Sequence, residues 1–155
     1  MPICNTNEFL NSSLDNKRIM CVDIGRKRYG VALSDPFNKF SLAHKTLRST
    51  EKKIHEQLID IIKNYNINLI IVGLPLNEDL SLNKQCQSIV DKTKDLDEKF
   101  IVCNKIMQII FWDESYTSLT AEDKIESKLK RKETEIDHFA ASIILQDFLD
   151  FFNKK

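Results

Sequence analysis

An acidic residue interrupts an apolar run near the start of the chain. Asp23 lies in Ile19–Ile24, a short run with β-branched residues that is typical of a buried strand, and Gly25 follows as a turn signal. An ionised carboxylate in such a strand is costly unless a positive charge meets it. The pattern therefore predicts a cationic partner for Asp23, which is either an arginine of the next segment, Arg26 or Arg28, or a metal ion.

Two further acids stand where they could join Asp23. Glu114 follows the apolar run Ile106–Trp112, and Asp137 lies in the first turn of a predicted helix. Parallel strands end at the same edge of a sheet, so we expect the three carboxylates to converge if that helix starts there. Such a cluster stays ionised only with cations, and carboxylate oxygens suit Mg²⁺ or Mn²⁺. Two ions about 3.5 to 4 Å apart would serve phosphodiester hydrolysis.

Each acid also has a purely structural interpretation. Asp23 can pair with an arginine, and Asp113 and Glu114 can close a strand, whose alternation lets only one of them face the site. Thr134 to Asp137 matches a capping box, and spacing alone favours that role for Asp137. His55 is predicted on a solvated helix face, and His44 and His138 are more often surface or core residues than ligands. None of the three histidines is therefore included in the predicted site.

Two basic clusters stand close to these acids in the sequence. Basic runs are more often solvated surface than binding sites, but a position beside a catalytic carboxylate suits contact with phosphate groups. The predicted nucleic-acid-binding residues are Arg26, Lys27, Arg28, Lys128, Lys130, Arg131 and Lys132.

The composition is that of one globular domain. The 155 residues carry 23 basic and 23 acidic side chains, and this zero formal charge argues against a strongly basic, indiscriminate nucleic-acid binder. Three glycines and three prolines leave little room for linkers. We predict a polar N-terminal arm over residues 1–17 and a single domain over residues 18–155.

The cysteines and the apolar segments predict a cytoplasmic location. The four cysteines are widely spaced, without metal-ligand or redox spacing, which is typical of reduced thiols. The N-terminus lacks the pattern of a signal peptide, and no apolar segment reaches the length of a membrane span. No membrane partner is expected.

Hydrophobic periodicity predicts an α/β fold with a mixed five-stranded sheet flanked by helices. A hairpin meander forms one side, and right-handed parallel crossovers form the other. The predicted strands are Ile19–Ile24, Tyr29–Leu33, Phe40–Leu47, Asn68–Val72 and Ile106–Trp112. The predicted helices are one capped by Ser49 or Thr50, one from about Leu82, one from about Leu119, and one from Ile136 to Phe152.

Four motifs in order make the sequence resemble the YqgF family of nucleases. They are D-I-G-R-K-R-Y-G-V-A-L-S-D from Asp23 to Asp35, I-V-G-L-P-L-N from Ile71 to Asn77, D-E-S-Y-T-S from Asp113 to Ser118 and I-D-H-F-A-A-S-I-I-L from Ile136 to Leu145. The family comprises proteins related to Holliday junction resolvases and associated with maturation of precursor 16S ribosomal RNA. The resemblance implies a ribonuclease H-like fold and an acidic site at Asp23, Glu114 and Asp137.

The sequence departs from the family pattern at three positions. Arg26 stands where the family usually has threonine, Leu80 where it has glycine, and Ser115 where an arginine follows the catalytic glutamate. Loss of that arginine removes a phosphate contact, which Arg26, Arg28 or the basic segment 128–132 would have to replace. Because the acids themselves are present, we expect an active enzyme.

Four functions compete at this point. The leading one is a metal-dependent nuclease, with Mg²⁺ or Mn²⁺, that processes the 5′ end of precursor 16S rRNA in the cytoplasm, on structured RNA or a ribosomal precursor particle. The second is a Holliday junction resolvase on four-way DNA, which would act as a symmetric dimer, whereas the first predicts a monomer or weak homodimer. The third is a non-catalytic RNA-binding assembly module. A sugar-kinase or actin-like phosphotransferase ranks last, because 155 residues leave no second domain to enclose a nucleotide.

Overall fold

A computed structural model describes residues 3–4, 17–75, 83–102, 108–113 and 133–153, with the backbone alone for residues 3–4, 100–102 and 133–138. Within these ranges the strands are β1 Ile3–Cys4, β2 Ile19–Ile24, β3 Arg28–Ser34, β4 Ser41–Arg48, β5 Leu69–Leu74 and β6 Gln108–Asp113. The helices are α1 Glu51–Tyr65, α2 Lys84–Val102 and α3 Glu133–Asn153. The helix predicted from about Leu119 lies outside the described residues.

The strands form one mixed sheet in the order β1-β6-β5-β2-β3-β4. Strands β2, β5 and β6 run parallel, and β2, β3 and β4 form an antiparallel meander. The predicted mixed sheet with five strands is confirmed. The two-residue strand β1 adds a sixth strand beside β6, within the predicted N-terminal arm.

The alternation of side chains along the strands divides the core into two layers. Met20, Val22 and Ile24 of β2 pack in one layer with the apolar faces of α1 and α2. Ile19 and Cys21 pack in the other layer with α3. Helices therefore cover both faces of the sheet, and each residue of β2 belongs to the α1/α2 face or to the α3 face according to its position.

Hydrogen bonds from the second half of α3 tie this helix to one end of the sheet. The Asn153 side chain donates to the Asn38 carbonyl (2.9 Å), and the Asn38 side chain donates to the Lys17 carbonyl (2.8 Å), which lies just before β2. Ser41 at the start of β4 donates to the carbonyl of Ser142, eleven residues earlier in α3. Both contacts lie at the end of the sheet where β2 and β4 begin, so α3 is anchored to that end at Ser142 and at Asn153.

Local sequence accounts for the ends of α1 and for the turn before β4. Thr50 caps α1 through its hydroxyl, which accepts from the Lys53 N–H, and the helix ends at Asn66 in the left-handed region (φ 53°). Asp35 closes the turn between β3 and β4 by accepting from the N–H groups of Phe37, Lys39 and Phe40. These backbone hydrogen bonds outweigh burial, which acts in the opposite direction, and lower the pKa of Asp35.

Three side chains differ from the predicted burial. His55 is fully buried, although its helix position predicted a solvated face, because Tyr29 and α2 cover it. Tyr65 and Phe151 are 38% and 40% exposed, although helical spacing groups each with the apolar residues of its helix. The buried stripe of α3 instead ends on Phe148, Leu149 and Phe152. Among the described helices, none combines the length and the apolar character needed to cross a membrane.

Candidate active site

Asp23 lies one residue before the end of β2, the strand at the centre of the sheet. Its neighbours Val22 and Ile24 belong to the α1/α2 layer, so alternation places Asp23 on the α3 face. The side chain is partly buried, unlike the fully buried Cys21 that precedes it on the same face. A carboxylate is thus held on a rigid strand at the edge of the sheet where ligands usually bind in parallel α/β folds.

All three glycines of the chain lie around Asp23. Gly30 is its direct partner on β3, and Gly25 begins the turn that follows β2. On the other side, the pairing of Val22 with Val72 puts Gly73 level with Asp23 on β5. Neighbouring strands lie about 4.8 Å apart, so the two positions directly beside the carboxylate carry no side chain. The sheet itself therefore places no side chain directly beside Asp23, and both of these glycines are buried.

Gly25 is required by the tight turn between β2 and β3. Its N–H donates to the Arg28 carbonyl (2.9 Å), and a Cβ at Gly25 would lie 2.7 Å from that carbonyl oxygen. Lys92 of α2 donates to the Gly25 carbonyl (3.3 Å), which ties the turn to the helix. Of the predicted phosphate-binding residues, Arg26 and Lys27 are exposed on this turn and Arg28 is partly buried at the start of β3.

The end of β6 approaches the same edge, two strands from Asp23. Trp112 pairs with Gly73, so it is level with Asp23, and it packs against Phe148 and Phe151 of α3 with ring centroids 5.4 Å apart in both pairs. Asp113 is buried and belongs to the opposite, α1/α2 face. The acid that follows, Glu114, lies outside the described residues.

Asp137 lies within α3, and only its backbone is described. The helix begins at Glu133, so Asp137 is in its second turn and Thr134 is inside the helix. The capping-box alternative needed Thr134 just before the helix, and the helix bounds contradict it. Sixteen residues of helix separate Asp137 from Asn153, about 24 Å. The convergence of Asp137 with Asp23 stays a prediction.

The described part of the site fits a hard divalent cation. A carboxylate oxygen is the ligand that Mg²⁺ and Mn²⁺ prefer, and no side chain of the neighbouring strands lies directly beside Asp23. The predicted site residues Lys128, Lys130, Arg131 and Lys132 lie outside the described residues.

A second group of ionisable side chains, which the sequence did not indicate, lies on the α1/α2 face. His55 of α1 is within hydrogen-bonding distance of the Tyr29 hydroxyl (3.0 Å), and its Nδ1 lies 3.4 Å from Asp95 and 3.3 Å from the Lys99 ammonium, both on α2. Glu51 completes a possible ligand set with His55 and Asp95. Only the i,i+4 spacings Glu51–His55 and Asp95–Lys99 hint at it in the sequence.

This second group does not favour a metal ion. Lys99 also lies 3.4 Å from Asp95, so an ammonium already supplies the positive charge there. Burial first, and the Lys99 charge second, lower the pKa of His55, which keeps the imidazole neutral. Burial likewise raises the pKa of Tyr29, helped by the charges of Glu51 and Asp95. The group is a polar contact that joins α1, α2 and β3.

Comparison with known proteins supplies the family context. The family model described as "RuvX: Holliday junction resolvase" matches residues 17–151. Proteins of Thermoanaerobacter pseudethanolicus and Caldicellulosiruptor bescii named "Putative pre-16S rRNA nuclease" are 40% and 36% identical. The matches cover 86% and 88% of this chain and 96% and 98% of the relatives.

Two solved structures share the fold. RuvC of Thermus thermophilus, solved with a Holliday junction substrate, has a TM-score of 0.58 at 10% identity over 86% of this chain and 94% of its own. The yeast mitochondrial Holliday junction resolvase also has a TM-score of 0.58 at 10% identity, over 96% of this chain and 84% of its own. At such low identity, these two similarities concern the fold alone.

Proposed function

The chain belongs to the RuvX (YqgF) family, and from that membership we propose that it is a metal-dependent nuclease that processes the 5′ end of precursor 16S rRNA in the cytoplasm. The proposed catalytic residues are Asp23, Glu114 and Asp137. The names of the relatives support RNA as the substrate, and the RuvC-like fold supports phosphodiester hydrolysis.

The observation that carries this proposal is the arrangement of glycines around Asp23. A glycine within a strand costs stability, since it adds no packing and loses more backbone entropy than other residues. Two of the three glycines nevertheless occupy the strand positions directly beside a partly buried carboxylate. Space for a ligand beside Asp23 accounts for this arrangement, whereas an arginine pair within the sheet does not require it.

Each acid has a proposed role that follows from its element. Asp23 on β2, Glu114 after β6 and Asp137 on α3 would hold one or two Mg²⁺ or Mn²⁺ ions. Such ions, when bound, activate a water and neutralise charge on the phosphate. Arg26 and Arg28 would contact the phosphates of the strand being cut.

The test is cleavage of a precursor 16S rRNA fragment and of a four-way DNA junction with Mg²⁺, Mn²⁺ or chelator. Asp23→Asn keeps the size of the side chain and removes its charge. We expect the parent to cut the RNA only with metal and the variant to lose at least 100-fold in rate, about 2.7 kcal/mol of transition-state stabilisation.

A matched control is Asp60→Asn, which removes an exposed carboxylate of α1, a helix on the face of the sheet opposite to Asp23. It should cut at the parental rate, and both variants should melt at the parental temperature. Equal rates for parent and Asp23→Asn would contradict the proposal. Cutting of the junction alone would favour the resolvase function, which is the function named in the description of the family model. RNA binding without cutting would favour an assembly module.

A further inference from the structure

A cleft of about 590 Å³ opens between the β2–β3 turn and the first half of α2. Arg26 of the turn and Lys84 and Lys92 of α2 line it, together with Ser88, and none of its lining residues is acidic. Because the chain as a whole has zero formal charge, this local excess of three cations stands out. It is a second concave surface beside the candidate active site, on the other face of the same sheet edge.

The cations on α2 are arranged as a track. Lys84, Ser88 and Lys92 are spaced four residues apart, so they form one stripe along the helix, about 12 Å long. Lys84 and Ser88 are exposed. The Lys92 ammonium is 3.3 Å from the Gly25 carbonyl, so it also ties the turn to the helix. Arg26 is the next residue of this turn, and it lines the same cleft as the stripe.

The cleft is directly connected to the proposed reaction site. Ile24 and Gly25 both line it, and they follow Asp23 without a break. A single nucleic-acid strand that crosses this edge of the sheet would meet the carboxylate on the α3 face and the cationic stripe on the α1/α2 face. Positive side chains and hydroxyl groups are the usual contacts of a phosphate backbone.

We propose that this cleft binds the phosphate backbone of the substrate strand next to the nucleotide at which Asp23 acts, with Lys84, Ser88 and Arg26 as phosphate contacts and Lys92 as the positioning residue of the turn. The inference rests on the proposed nuclease function and adds the surface along which a single nucleic-acid strand would bind. In sequence, Ser115 stands where the family has an arginine, and the basic residues of α2 would supply phosphate contacts in place of that arginine.

The test is binding of a fluorescein-labelled 20-nucleotide single-stranded RNA, by anisotropy, in chelator so that no cleavage occurs. Lys84→Gln removes one phosphate contact. The expected slope of log K against log salt falls in magnitude by about 0.7, and the Kd at 0.15 M salt rises about fourfold. In the double variant Arg26→Gln/Lys84→Gln, the change in salt slope and the change in log Kd should each be roughly twice as large.

The matched control is Lys94→Gln, which removes an exposed lysine of the same helix that does not line the cleft. It should bind RNA with the parental Kd and salt slope. Equal Kd and slope for Lys84→Gln and Lys94→Gln would overturn the proposal. Binding is measured without metal, so weaker binding by Lys84→Gln would support RNA binding in the cleft even if the parent fails to cut RNA. Parental binding by Lys84→Gln together with RNA cleavage by the parent would contradict the role of the cleft and leave the nuclease function standing.

Discussion

The imidazole of His55 has no exposed surface, and its two ring nitrogens meet different partners. One faces the Tyr29 hydroxyl of β3, and the other faces Asp95 and Lys99 of α2. Glu51 of α1 and Asp95 favour the protonated imidazole, but burial and the Lys99 charge outweigh them, so the pKa of His55 falls below its usual 6.5. At the scale of the residue, His55 is a buried neutral group, although helical spacing alone suggested a solvated one.

We expect this histidine to make stability depend on pH. In the unfolded chain it takes up a proton near pH 6.5, whereas in the folded protein it does so only at lower pH. Stability is therefore complete above about pH 6.5 and declines as the pH falls below it. The melting temperature of the parent should drop more steeply between pH 7 and pH 5 than that of His55→Gln, which keeps a donor toward Tyr29.

The control for this pH dependence is His44→Gln, because His44 lies on β4 and is partly exposed. Its melting curve against pH should follow the parent. Parallel curves for the parent and His55→Gln would show that His55 contributes nothing to acid sensitivity.

At the scale of the elements, β5 lies between β2, which carries Asp23, and β6, which ends just before Glu114 in the sequence. Its residue Gly73 is level both with Asp23 on β2 and with Trp112 on β6. Trp112 packs against the aromatic side chains at the end of α3, which holds the end of β6 to the α3 layer. The strand thus sets the spacing across which a shared ligand would lie.

Gly73→Ala should separate the structural from the functional role of this position. Alanine gains roughly 0.5–1 kcal/mol over glycine in a strand interior, so fold stability should be retained or raised. The added methyl group stands beside Asp23, so we expect a loss of at least tenfold in the rate of metal-dependent RNA cleavage. The measurements are a melting curve and single-turnover cleavage.

Ile71→Val is the matched control, because Ile71 lies two residues earlier on the same face of β5. It should cost about 0.5–1.5 kcal/mol of stability and leave cleavage unchanged. Full cleavage by Gly73→Ala would contradict the role given to the space beside Asp23.

At the scale of the whole molecule, binding of a cation should couple to folding. The proposed ligands come from β2, from the segment after β6 and from α3, and only the folded chain brings such elements together. A ligand that binds the folded state alone stabilises it by RT ln(1 + [L]/Kd), about 1.4 kcal/mol at ten times Kd.

We therefore expect Mg²⁺ or Mn²⁺ to raise the melting temperature of the parent by about 3 to 5 °C at that concentration, at constant ionic strength. The rise should be absent in Asp23→Asn and present in Asp60→Asn. An equal rise in the parent and Asp23→Asn would mean that the cation acts elsewhere, for which Glu51 with His55 and Asp95 is the alternative ligand set among the described residues.

The sequence by itself determined the order and type of the elements, because hydrophobic period and turn residues are local. The bounds of β2 were predicted without error, and the cap at Thr50 and the turn at Asp35 follow from side chains within five residues. The sequence also pointed to Asp23, because a charged residue inside an apolar run is unusual whatever the fold. Glu114 and Asp137 remain predictions that rest on the family resemblance.

Only the tertiary structure decided which distant residues share a surface. Gly73 is fifty residues from Asp23 in sequence, and strand register alone makes them neighbours. The burial of His55 depends on α2, whose residue Asp95 is forty residues away in sequence. The cationic cleft forms because the lysines of α2 lie beside the β2–β3 turn, which comes much earlier in the chain. Register and helix packing are set by the summed burial of both core layers, which no local pattern contains.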